Sequence, residues 1–154
     1  MIAEKIRLPF QLELQKGERM CWAAVSVAIA KYYGHQSIQD QIAFARSIMG
    51  EHYDQFCAMD KALMTYGHLK QILTTPLSKE QIDLELHHKQ PIIACMKYFV
   101  GWHVVVIYGI ENDHLLIADP LHGYSKWRLS TFTTSYQEYY SWSHSYKTCS
   151  KGEY

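Results

Sequence analysis

Hydrophobic positions recur at helical spacing in the first half of the chain and in strand-like runs in the second. Residues 21–33 put Val25, Ile29 and Tyr32 on one face, with Ala24 and Ala28 small enough for close backbone packing, and predict a helix that Gly34 ends. Ser37 reads as the cap of a second helix, with Ile38, Ile42, Ala45 and Met49 on one face and Gly50 closing it. A third helix is expected over about residues 56–66, up to Gly67. Ser78-Lys79-Glu80-Gln81 is a capping-box signature for a fourth, running through Ile82, Leu84 and Leu86.

After Pro91 the period shortens. Ile92-Ile93-Ala94-Cys95-Met96 reads as a buried strand, and residues 103–109 as a second, apolar enough to be covered on both faces. Asn112-Asp113-His114 turns the chain into a third strand over 115–118, and 124–129 form a fourth. Residues 139–146 alternate serine with larger side chains, the pattern of a half-buried strand. Helices followed by an antiparallel sheet make the expected class α+β.

At 154 residues the chain is long enough for a single domain with one sizeable core, read as spanning 1–154 with a frayed tail over about 147–154. Fifteen basic residues balance fifteen acidic ones, so no global electrostatic footprint for nucleic acid or an anionic membrane is expected. No apolar run approaches the ~18 residues that span a bilayer, and no secretory leader is read at the N-terminus. The compartment stays open between the cytoplasm and a leaderless export route. Cys21, Cys57, Cys95 and Cys149 form no CxxC pair, so neither a metal nor another cofactor is expected. The chain reads as reduced, with Cys57 and Cys95 as small buried groups.

The chemistry concentrates around Gln15-Lys16-Gly17-Glu18-Arg19-Met20-Cys21-Trp22. Cys21 stands at the first turn of an apolar helix. An ordinary thiol has a pKa near ~8.5 and is only a few per cent thiolate at neutral pH. A helix dipole contributes about 0.3–1 kcal/mol, or ~2 in a partly buried site. One pKa unit is about 1.4 kcal/mol, so the dipole moves a thiol by about a unit and a cation must do the rest. An imidazolium suits, because it can return the proton to a leaving group. His103 opens an apolar strand, directly after Gly101 and Trp102, where a rigid sheet can aim it. The other eight histidines, at 35, 52, 68, 87, 88, 114, 122 and 144, fall in turns, polar stretches or the tail and read as solvated.

Asp119 ends the next strand and would lie at the same end of a hairpin as His103, accepting its Nδ1–H and leaving Nε2 towards Cys21. Asp113 sits in the turn at the opposite end. The Gln15 side-chain amide can fold over the helix start and, with the Cys21 N–H, hold a tetrahedral oxyanion; Gln11 is a weaker competitor. Taken singly, Cys21 also reads as a small apolar residue, His103 as a core histidine, Asp119-Pro120 as a turn and Gln15 as a surface residue.

The Gln15-to-Cys21 spacing and the run Cys21-Trp22-Ala23-Ala24 resemble the nucleophile motif of papain-like cysteine peptidases. Short length, and an aspartate where papain itself uses asparagine, resemble the bacterial members. These include the peptidase domains that trim leader peptides in bacteriocin-exporting transporters and the proteases injected by plant-pathogenic bacteria. Lys31-Tyr32-Tyr33-Gly34, Gln90-Pro91-Ile92-Ile93 and Asp119-Pro120-Leu121-His122-Gly123-Tyr124 fit the same layout, so the likeness spans most of residues 9–136. Trp22 stands where transporter peptidases usually have a small residue, and neither a membrane domain nor a GxxxxGK[ST] motif is present.

The resemblance implies a papain-like fold with a cleft between helices and sheet. Its site would be a Cys21-His103-Asp119 triad with Gln15 in the oxyanion hole. The reaction would be peptide-bond hydrolysis through an acyl-enzyme, and the partner a protein or peptide substrate. Two alternatives keep the same fold. The site could serve another acyl transfer (peptidoglycan amidase, deamidase, transglutaminase or acyltransferase, as in a bacterial toxin or effector), or the module could bind peptides without catalysis. An inhibitor or immunity protein is a further partner left open.

Overall fold

A computed structural model describes residues 5–35 and 37–150. The elements run β1 (Lys5–Arg7), α1 (Cys21–Tyr32), α2 (Gln41–Met49), α3 (Met59–Thr65), β2 (Leu69–Leu73), α4 (Lys79–His87), β3 (Ile92–Tyr98), β4 (Gly101–Glu111), β5 (His114–Asp119), β6 (Gly123–Arg128), α5 (Leu129–Ser135) and β7 (Ser141–Thr148). The seven strands form one sheet in the order β2-β7-β3-β4-β5-β6, with β1 added to β4. Every pairing is antiparallel. The class is therefore α+β, as the order of helices and strands predicts.

Alternation along β3 and β4 explains their unbroken apolar runs. Ile93, Cys95, Val104 and Val106 face α1, Phe44 and Leu63. Ile92, Ala94, Met96, Val105 and Ile107 face the opposite side, with Ile82, Leu86 and Phe132 of α4 and α5. The sheet thus has helices on both faces, as the doubly apolar strand over 103–109 predicts. Each fully buried branched side chain contributes about 1.5–3 kcal/mol.

Several elements depart from expectation. The cap of α2 is Asp40, whose carboxylate accepts from the Ala43 N–H at 2.8 Å, and not Ser37. The reason lies in Gln41, which is buried and bonds Lys16 N and Leu14 O, so the helix starts where this side chain reaches the preceding loop. Its buried face is Gln41, Phe44 and Ala45, while Ile42 is exposed. The capping box at Ser78 is present, yet Leu84 is 55% exposed. Helix α3 is shorter than predicted, and residues 56–58 line a cleft instead. Strand β7 continues to Thr148, inside the stretch read as frayed; residues 151–154 lie outside the described residues.

Candidate active site

Helix α1 begins at Cys21, so its N-terminus and the loop before it set the site. Met20 is the N-cap and offers no side-chain cap, and no acidic residue stands in the first turn. No capping oxygen therefore competes for the first N–H groups, which remain suited to a developing anion. The loop is held from outside. Asp54 accepts from Glu18 N at 3.2 Å and Arg19 N at 2.8 Å, and Trp22 Nε1 donates to Gln55 O at 2.7 Å. A Cβ on Gly17 would stand 2.7 Å from Asp54 Cγ and 2.7 Å from Met20 Sδ, so a larger residue would have to push these side chains aside.

His103 lies on β4, 4% exposed, and its Nε2 is 2.7 Å from Asp119 Oδ1. Cys21 also acts on this ring and favours its charged form, and with Nε2 committed to Asp119 the nitrogen left for the sulfur is Nδ1. This reverses the nitrogen assignment of the sequence reading. The register gives the reason: Val106 pairs with Ala118, so Asp119 sits beside Val105, two residues from His103. Only the distal ring nitrogen spans that offset, and the one nearer the backbone is left to Cys21.

Asp119 is 0% exposed and saturated with donors. Oδ1 also accepts from Leu121 N at 2.8 Å and His122 N at 3.0 Å, and Oδ2 accepts from Tyr136 Oη at 2.7 Å. The turn at Asp119-Pro120 and the contact with His103 thus coexist in one residue. Burial pushes the carboxyl pKa up, but these hydrogen bonds and the His103 charge outweigh it and hold it below the usual value. Burial likewise disfavours the His103 cation; hydrogen bonds to Asp119 and Cys21, with their charges, reverse the sign and raise its pKa to about 9.

Tyr136 and Tyr140 were not singled out as site residues in the sequence. Tyr140 lies nearly parallel to the His103 ring, with centroids 5.4 Å apart at 28°. Both tyrosines are buried, and a bridge between residues 136 and 140 closes the segment that carries them. Their signal lay in the aromatic run 136–146, which is indistinguishable from core packing by pattern alone.

Gln15 is placed differently from its expected role. Its Nε2 donates to Gly17 O at 2.8 Å and Glu18 O at 3.0 Å, while Oε1 is buried without a partner. Its backbone N–H bonds Pro120 O at 2.8 Å, tying the loop before Cys21 to the turn after Asp119. In this state both side-chain N–H groups brace the loop. Gln11 lies away from Cys21, in a separate groove with Leu12, Lys31 and Tyr124, and Asp113 pairs with Arg128 and His114.

Beside Cys21 opens a cleft of about 400 Å³. Val104, Cys95 and His144 form its floor across neighbouring strands, and Phe56, Val100 and Trp102 stand at its sides. Cys57 is only partly buried and lines this cleft, in contrast to the buried packing expected of it. Trp102 forms a cleft wall, and Trp22, buried in the core, also contributes to the cleft lining. His144, read as solvated, faces the cleft, and His68 is 2% exposed. Cys21, Cys57 and Cys95 are free thiols. Among the described residues, no group of three or more His, Cys, Asp and Glu is placed to hold a metal, and no helix is long and apolar enough to cross a membrane.

The profile of the family described as "Papain-like cysteine protease AvrRpt2" matches residues 2–137. No curated protein matches the sequence significantly. Among solved structures, the peptidase domain of Streptococcus ComA, a bi-functional ABC transporter involved in quorum sensing, superposes with a TM-score of 0.67 at 19% identity, over 91% of this chain and 98% of that one. A double glycine motif protease from an AMS/PCAT transporter, solved with its leader peptide, gives 0.60 at 20% identity over 97% and 100%. A C39-like peptidase from Bacillus anthracis gives 0.62 at 16% over 93% and 97%. At such identities the likeness is one of fold.

Proposed function

Because this chain belongs to the papain-like cysteine protease AvrRpt2 family, we propose that it hydrolyses peptide bonds with Cys21 as nucleophile, His103 as acid–base and Asp119 as orienting anion. The observation that carries this reading is a buried imidazole hydrogen-bonded to a carboxylate, with the helix-start thiol acting on the same ring. The carboxylate outweighs burial and favours the imidazolium, the partner a thiolate needs.

The thiolate attacks the scissile carbonyl, and a C–S bond forms as the carbonyl π pair moves to oxygen. The oxyanion is met by the Cys21 N–H at the uncapped helix start. Gln15 supplies the second donor once its amide exchanges one of its two loop carbonyls for the oxyanion. As the C–N bond breaks, His103 Nδ1 gives its proton to the departing amine. Neutral His103 then takes a proton from water, whose oxygen attacks the thioester and releases the acid and Cys21. Throughout, Asp119 keeps the ring in one orientation through Nε2.

A peptide substrate is supported by the open apolar cleft beside Cys21 and by a structural relative solved with a leader peptide. The test is a mass-spectrometric cleavage profile on a peptide library, wild type against Cys21→Ala. Cleavage by wild type alone is expected; equal cleavage by both, or by neither, overturns the proposal.

A further inference from the structure

The floor of the cleft contains an ionisable group that the hydrolytic machinery does not use. His144 lies on β7, paired with Cys95 of β3, which in turn pairs with Val104 of β4. Two strand spacings separate it from the strand bearing His103, roughly 9–10 Å. That places it away from the strand bearing the candidate base. The walls around it are otherwise apolar or weakly polar, and Trp102 meets its ring edge-on at 5.2 Å.

We propose that His144 is a specificity-determining residue, making this pocket a subsite that takes a neutral side chain when its imidazole is neutral and a carboxylate side chain when it is protonated. The inference rests on the peptidase reading and names the substrate residues that this cleft selects. His144 Nδ1 is 3.2 Å from Ser143 Oγ, and Nε2 is 3.2 Å from Tyr146 Oη. Both partners are hydroxyls, which donate or accept by rotation. The ring therefore accepts a second proton without orphaning either contact. Tyr146 also lines the pocket, so a carboxylate entering it meets a hydroxyl donor and a cation together.

The surroundings favour this switch. On β7 the ring meets Ser143 and Tyr146, and on β3 it neighbours the Cys95 thiol, which burial and Cys21 push up to about 12 and keep neutral. On β3 Lys97 stands over the Trp102 ring at 5.8 Å, a second cation at the rim. Cys57 and Cys21 complete the ionisable lining, and Asp60 of α3 acts on Tyr146. Burial holds His144 below the ordinary imidazole value and so favours its neutral form at pH 7.

The test compares matched peptides and peptidyl chloromethyl ketones carrying Glu or Gln at each residue near the reactive carbonyl. Measurements are made at about pH 7.5 and at about pH 5, where glutamate remains mostly ionised. Hydrolysis is followed by product release and alkylation of Cys21 by mass, in wild type and His144→Gln. At the position filling the pocket, the Glu-to-Gln rate ratio should rise about tenfold or more on acidification in wild type, the effect of one charge-assisted hydrogen bond. That rise should vanish in His144→Gln. An equal response in both proteins, or none in wild type, overturns the proposal.

Alkylation that shows the switch without any hydrolysis would sink the peptidase reading and leave the subsite standing. Hydrolysis without the switch would do the reverse. If His144→Gln does not fold, NMR titration of wild-type His144 decides. A bound Glu ligand should raise its pKa by about one unit relative to the Gln ligand, and no difference overturns the assignment.

Discussion

Replacing Asp119 by Asn removes a negative charge while keeping the shape and an oxygen that can accept from His103 Nε2, 2.7 Å away. The His103 pKa of about 9 is the sum of burial, which lowers it, and contacts with Asp119 and Cys21, which raise it. An opposite charge at such a distance supplies about 1–3 units. Taking about two, or about 2.7 kcal/mol, the alkaline limit of the imidazolium falls from about 9 to about 7. At about pH 8 the protonated fraction then drops from ~90% to ~10%, whereas at about pH 6 it is nearly complete in wild type and still ~90% in the variant. The account therefore expects kcat/KM of Asp119→Asn to be about tenfold lower near pH 8 and little changed near pH 6. The assay is a pH profile of kcat/KM with one peptide, alongside NMR titration of the His103 ring. An alkaline limb that stays at the wild-type value, or a uniform loss at all pH, refutes the reasoning.

Gln15→Ala should lower kcat by about 100–1000-fold with little change in KM if its amide turns to the oxyanion, and a loss under about fivefold would leave it a loop brace only. Tyr136→Phe removes the Oη donor from buried Asp119 Oδ2, 2.7 Å away. That should cost about 1.5–3 kcal/mol, seen as a fall in Tm of about 3–12 °C in a calorimetric scan. An unchanged Tm would show that the contact carries no stability. Buried His68 has a lowered pKa, first because of burial, so its neutral form belongs to the folded state. Its contribution is complete above the unfolded value of about 6.5 and is lost as pH falls towards the lower folded value. His68→Phe should therefore flatten the decline in chemical-denaturation stability below about pH 6.5, and an unaltered slope there would contradict it.

The parts of the fold that were legible in the sequence are those with strong local signals. Cys21–Tyr32 carries a dense apolar face, and Ser78 makes its capping box with Gln81. Residues 92–96 and 103–109 are so uniformly apolar that only a doubly covered strand accommodates them. The missed elements have weak local preference and depend on partners. Strand β2 is an edge strand with three exposed central residues and is strand only because β7 pairs with it. Helix α5 is rich in Ser and Thr; Thr133 and Thr134 bond back to Leu129 O and Ser130 O, and Phe132 alone is buried. At the candidate site, residue types and order along the chain were readable for Cys21, His103 and Asp119. Which imidazole nitrogen meets Asp119, and that Tyr136 reaches Oδ2, depend on strand offset and on a connection between layers. No local pattern encodes either.

The central claim of the proposed function is that His103 activates the Cys21 sulfur as the nucleophile. Its most direct test is the rate of Cys21 alkylation by iodoacetamide as a function of pH, in wild type and His103→Ala. The account predicts that wild-type Cys21 reacts far faster than a free thiol at about pH 6, and that this excess disappears in His103→Ala. Wild-type Cys21 that reacts at the free-thiol rate at about pH 6, or an excess that survives loss of the imidazole, would contradict it.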